Sequence, residues 1–237
     1  MRCPLLLPAL LSITLLAPAA SQTPPAQTTP DTLTGAYNQA MQARDWPGAV
    51  TAAQKLVELS PTSQNLYLLA NAQLNAGATE VSLATYDQAL AAAKQEKPAE
   101  GQPDIAWKDN MAKIYLWKGN ALLKLHRTAE AVEAYNHSAE FAANPGRAYF
   151  NICAVLYNSG NTSDTPAACR KSLQSDPSKA DAWFILGSVL FVDAKSDANG
   201  KFLISAETRQ ALNKYLELAP DGAHAADVKQ MLDAAAK

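Results

Sequence analysis

The chain has 237 residues, with 20 Lys and Arg against 22 Asp and Glu, a formal net charge of −2. That balance leaves no electrostatic footprint for nucleic acid and no polybasic patch for an anionic membrane. Hydrophobic residues make up 48% but aromatics only 7%, a composition that suits close-packed helices better than a sheet and can bury a substantial core.

Residues 1–20 have the pattern of a secretory signal peptide. Arg2 is their single charge, Leu5 to Leu16 are largely apolar, and Ala17-Pro18-Ala19-Ala20 offers small residues for cleavage. An apolar run of about twelve residues falls short of the ~20 that span a bilayer. Cys3 precedes the small residues instead of following them, which argues against a lipoprotein cysteine. The expectation is a released protein, periplasmic or secreted, with no stable membrane insertion after cleavage. Its mature form keeps 19 basic and 22 acidic side chains, because only Arg2 is lost. Residues 21–30 (SQTPPAQTTP) lack apolar spacing and read as a flexible leader.

Residues 31–220 carry a helical apolar pattern broken by short turns, and within it an internal repeat. Gly119, Cys153 and Gly187 follow one another at 34-residue intervals. Ala70 joins the series once an insertion around residues 97–103 is allowed for, and Arg44-Asp45-Trp46 marks a weaker first unit. Small residues recur there because two antiparallel helices approach most closely where one lacks bulk. Tyr149, Ile152 and Leu156 form an apolar stripe beside that point, and Trp183, Leu186 and Leu190 repeat it. Ala131 with Tyr135, and Ser82 with Tyr86, belong to the partner helix. Proline closes the hairpin at Pro61, Pro145, Pro177 and Pro220, since it cannot continue a helix.

These residues resemble the tetratricopeptide repeat (TPR) family. Residues 183–190 (WFILGSVL) match its first-helix signature and Ala131 to Tyr135 its second. The run from Ala182 to Leu232 also resembles exported bacterial members, those of Acidobacteria among them. The resemblance implies an all-α, right-handed solenoid of about five helical hairpins, ended by a capping helix within residues 221–237. Before that cap, residues 193–204 interrupt the last hairpin, and Asn199-Gly200 signals a tight turn in a surface loop or β-hairpin. Asp193, Asp197 and Asn199 lack the regular acids and closing Glu of a calcium loop.

Enzyme chemistry finds no support. His126, His137 and His224 share no metal-ligand spacing, and His126 occupies a turn position held elsewhere by Gly77 and Gly160. Phosphate-loop and nucleophile-elbow motifs are absent from the sequence, and no cofactor or metal is implied. Cys153 and Cys169 should face the same hairpin interface, either as a disulfide or as two buried thiols. Without a Cys-x-x-Cys motif, a thiol-dependent redox role is the weakest reading.

In the TPR architecture the stacked first helices line a concave groove. A stripe on that face runs through Tyr67, Asn71 and Leu74, then Leu116, Asn120 and Leu123, then Phe150, Ala154 and Tyr157, then Phe184, Ser188 and Phe191. Asn38, Asn71 and Asn120 recur at equivalent positions, where an amide can both donate to and accept from an extended peptide. Asn120 and Asn151 match the two amide positions of family members that clamp C-terminal carboxylates. The corresponding cationic positions instead read Leu116, Asp181 and Ile185, so such a clamp is not expected. Lys113, Lys124 and Arg147 make the middle of the groove mildly basic, suiting a neutral or acidic peptide. The expected function is therefore a non-enzymatic scaffold that holds a protein or extended peptide in this groove. A structural subunit of an envelope assembly, using the convex face, is the alternative.

Overall fold

The computed structural model describes residues 29–235, so the expected signal peptide, residues 21–28 of the expected leader and the last two residues lie outside it. Among the described residues the helices pair in order. They are α1 (Pro30–Ala43) with α2 (Trp46–Leu59), α3 (Ser63–Asn75) with α4 (Thr79–Gln95), and α5 (Ile105–Lys124) with α6 (Thr128–Phe141). Two further pairs follow, α7 (Gly146–Asn158) with α8 (Thr165–Ser175) and α9 (Ala180–Val192) with α10 (Ala206–Leu218). A single helix, α11 (Ala225–Ala234), closes the array, and a two-stranded hairpin of β1 (Lys195–Ser196) and β2 (Phe202–Leu203) interrupts the fifth pair. The result is the expected all-α solenoid of five hairpins and a cap.

Four of the turns inside hairpins share one backbone device. Arg44, Gly77, His126 and Gly160 all adopt positive φ, at 57°, 84°, 57° and 75°. A left-handed residue ends a helix while offering its N–H to the preceding carbonyls. His126 donates to Leu123 O at 2.9 Å and Gly160 to Tyr157 O at 3.0 Å.

The small residues sit where the two helices of a pair meet. A Cβ on Gly119 would lie 2.5 Å from Tyr135 Cε1, and one on Gly187 would lie 2.7 Å from Leu212 Cδ2. Ala70 and Tyr86 are both fully buried in the second pair. In the fourth pair the same approach joins Cys153 and Cys169, with sulfurs 2.01 Å and Cα atoms 4.9 Å apart.

Helix ends follow local chemistry. Thr29 and Pro30, assigned above to the leader, are instead the N-cap and first residue of α1. Thr29 Oγ1 accepts from Thr32 N, and the Thr32 hydroxyl accepts in return from Thr29 N. Proline fits the first turn because its missing N–H would have no helical partner there. The insertion between the second and third pairs is only partly loop, since α4 has 17 residues and α5 has 20, against 13 and 14 in α3 and α6. Glu96 in that connection accepts hydrogen bonds from Ser63 N and the Ser63 hydroxyl, and Asn110 Nδ2 donates to Ser63 Oγ at 2.6 Å. The insertion thereby ties α5 to the start of α3.

The β-hairpin turns at Gly200, with φ at 76°. Asp197 Oδ1 accepts from Asn199 N at 2.8 Å and Lys201 N at 2.9 Å, so this carboxylate is committed to the turn. Phe202 then packs on Phe191 with ring centroids 5.1 Å apart. α9 is apolar nearly all round, and it is covered accordingly. Ala182 and Phe184 to Val189 are buried beneath neighbouring helices.

Candidate functional site

α3, α5 and α7 bring side chains from three successive repeats together. Burial pushes the Tyr67 hydroxyl of α3 up from its usual pKa. A hydrogen bond from Asn71 and the charges of Lys113 and Arg147 oppose this shift, while Asp109 adds to it. Lys113 and Arg147 are exposed, and Lys113 pairs with Asp109 one turn away at 2.5 Å. The Arg147 guanidinium lies 5.9 Å from the centroid of the Trp117 ring on α5. Lys124 reaches from the end of α5 to Leu74 O at 3.3 Å, where the C-terminal carbonyls of α3 favour a cation. Lys113 and Arg147 thus lie near Tyr67, with Asp109 offsetting part of their charge, and Lys124 lies at the end of α3. The Lys179 ammonium, 4.3 Å from the Phe150 ring centroid, extends this set of cations toward α9.

The asparagines do not share one environment. Asn38 is exposed on α1, whereas Asn71 is buried, accepts from Asn75 Nδ2 at 2.9 Å and reaches the Tyr67 hydroxyl at 3.5 Å. Asn120 and Asn151 are half-buried, and both hydrogen-bond the Tyr135 hydroxyl. Tyr135 donates to Asn120 Oδ1 at 2.7 Å, which fixes that amide's orientation. Burial pushes the Tyr135 pKa up to about 12, against the lowering influence of Arg147 and the Asn151 hydrogen bond.

At the far end of the same face, Tyr157 of α7 meets Phe184 of α9 edge-on, with centroids 6.5 Å apart. Phe184 is buried because His224, just before α11, stacks flat on it at 3.8 Å. The structure therefore assembles Tyr67, Lys113, Lys124, Arg147, Phe150 and Tyr157 on or beside one face and turns Asn71 and Phe184 inward. Trp117, Lys179 and His224 were missed in the sequence. Trp117 was legible, lying four residues after Lys113 and three before Asn120 on one helix face. Lys179 and His224 sit in turns, where no periodic signal reaches them.

On the other side, a cavity of about 420 Å³ opens between α4, α5 and α6. Its charges are largely paired, Asp87 with Lys118 at 2.6 Å and Glu130 with Arg127 at 2.6 Å. Among the described residues no group of three or more His, Cys, Asp or Glu could hold a metal ion. No described helix is long and apolar enough to cross a membrane.

Comparison with solved structures places this fold among TPR solenoids. PilF of Pseudomonas aeruginosa superposes with a TM-score of 0.63 at 15% identity, over 87% of this chain and 86% of that one. A TPR protein of Parabacteroides merdae gives 0.60 at 14% identity, over 86% and 74%. YrrB, a TPR protein with an unusual peptide-binding site, gives 0.57 at 18% identity, over 82% and 88%. No family model and no curated protein matches the sequence. The chain has the tetratricopeptide-repeat fold.

Proposed function

We propose that this chain is a non-enzymatic scaffold that holds an extended, acidic to neutral protein segment along the face built by α3, α5 and α7. The observation that carries this reading is the joint placement of Tyr67, Lys113 and Arg147, one residue from each of three successive first helices, within electrostatic reach of one another. Aromatic rings beside solvent-facing cations supply contact area and charge steering without any group poised for catalysis. Tyr135 holds the Asn120 oxygen, so the amide N–H2 of Asn120 is the end left to meet a ligand. YrrB, a solved structure with the same fold, has an unusual peptide-binding site, which is a precedent for peptide binding by this fold.

Export as a periplasmic or secreted protein belongs to this proposal. It rests on the signal-peptide pattern of residues 1–20 and is supported by the pairing of Cys153 with Cys169, since disulfides persist in oxidising compartments. A second reading, a subunit of an envelope assembly that engages partners by its outer face, is favoured by the cavity between α4, α5 and α6. Affinity capture from envelope extract separates the two, with bound proteins identified by mass spectrometry. The scaffold reading expects a partner lost by K113E/K124E/R147E and retained by an outer-face variant, K94E/K118E. The opposite pattern would establish the outer face.

A further inference from the structure

The face that is basic in its middle changes sign at its C-terminal end. There α7, α9 and the start of α11 enclose a second cavity, also of about 420 Å³, outside the Lys113–Arg147 region. Tyr157, Phe184 and His224 contribute aromatic surface to it, and Asp181 and Asp227 contribute carboxylates. Both carboxylates are well exposed and weakly matched. Asp181 has the Lys179 ammonium at 4.0 Å, and Asp227 has the His224 ring nitrogen Nδ1 at 3.9 Å. Lys179 is drawn the other way, over Phe150. The pocket thus has room, ring faces and surplus negative charge at one place.

We propose that this pocket seats a cationic side chain of the bound segment, arginine in first preference, so that the ligand is dipolar. Its acidic stretch lies along Lys113, Lys124 and Arg147, and its basic residue lies toward α11. A guanidinium suits such a site because it can stack on an aromatic face while its N–H fork meets carboxylates. The opposed charges also set direction, since the reversed peptide would place like charges together at both ends. The stack of His224 on Phe184 gives the pocket one wall that belongs to the cap, so the cap completes the site as well as ending the array.

This inference rests on the groove reading above, and the test keeps the two apart. Fluorescence polarisation of the mature chain would use labelled synthetic peptides with an Asp/Glu tract, an Ala/Gly spacer of graded length and a terminal Arg. Each would be paired with a counterpart carrying Gln for that Arg. At the best spacer the Arg peptide should bind about tenfold more tightly, the scale of a charge-assisted contact. In D181N/D227N, checked by thermal melting, that advantage should shrink to about twofold or less. Equal binding of Arg and Gln peptides to the wild type would overturn the pocket assignment and leave the groove standing. An Arg advantage that survives in D181N/D227N would overturn it too, by seating the cation elsewhere. Failure of every peptide to bind would overturn both readings.

Discussion

Single residues in this chain are read most clearly at its turns. Gly77 has open space around the position of a Cβ, so the only objection to a side chain there is its φ of 84°. Gly77→Ala should cost about 1 kcal/mol in urea unfolding, the usual penalty for a non-glycine residue held left-handed. His126 already carries that penalty at φ 57°, and His126→Gly should stabilise by about 0.5 kcal/mol after the entropy of glycine is offset. Both variants leave packing untouched, so unchanged m-values should accompany the shifts. Tyr37 and Tyr135 report on burial instead. Each is pushed up to about 12 from 10.0, chiefly by desolvation. The folded state therefore holds these protons more tightly than the unfolded state. Stability should be flat with respect to these groups below pH 10 and fall as pH rises from 10 to 12, as followed by circular dichroism.

At the scale of elements, the closest approach of each pair was legible in the sequence because it needs one small residue at a repeating position. Gly119, Cys153 and Gly187 all stand at such points, and the left-handed turn at His126 was legible from Gly77 and Gly160. Asn199-Gly200 announced the β-hairpin in the same way. The fates of Asn71 and Asn120 were not legible. Their commitments depend on Asn75, Tyr67 and Tyr135, and on helix rotations that a repeat alignment does not contain. The start of α1 was misplaced because Thr-Thr-Pro reads as leader until the Thr29–Thr32 capping box is seen. The Cys153–Cys169 bond closes a 16-residue separation at the fourth pair. Reduction should lower stability by about 3 kcal/mol, visible as a drop in melting temperature with dithiothreitol. Both cysteines are fully buried, so reduction should be slow in the folded protein. The first pair buries Leu33, Tyr37 and Leu56, and otherwise only the alanines Ala49, Ala52 and Ala53. Its amides should exchange with deuterium sooner than those of α9, which is packed on nearly all sides.

At the scale of the whole molecule, the proposed working face runs from Lys113, Lys124 and Arg147 on α5 and α7 to Asp181 on α9 and Asp227 on α11. Asn120→Ala is a poor probe of that face, because it would strip the Tyr135 hydroxyl of an acceptor and confound binding with stability. Lys113, Lys124 and Arg147 are better, being exposed and peripheral to the core. The most direct measurement is the affinity of an acidic peptide for the wild type and for K113E/K124E/R147E at low and physiological salt. If these cations hold the ligand, the variant should bind at least about tenfold more weakly, and the difference should narrow as salt is raised. Equal affinity at both salt concentrations would contradict the account and move the working surface away from α3, α5 and α7.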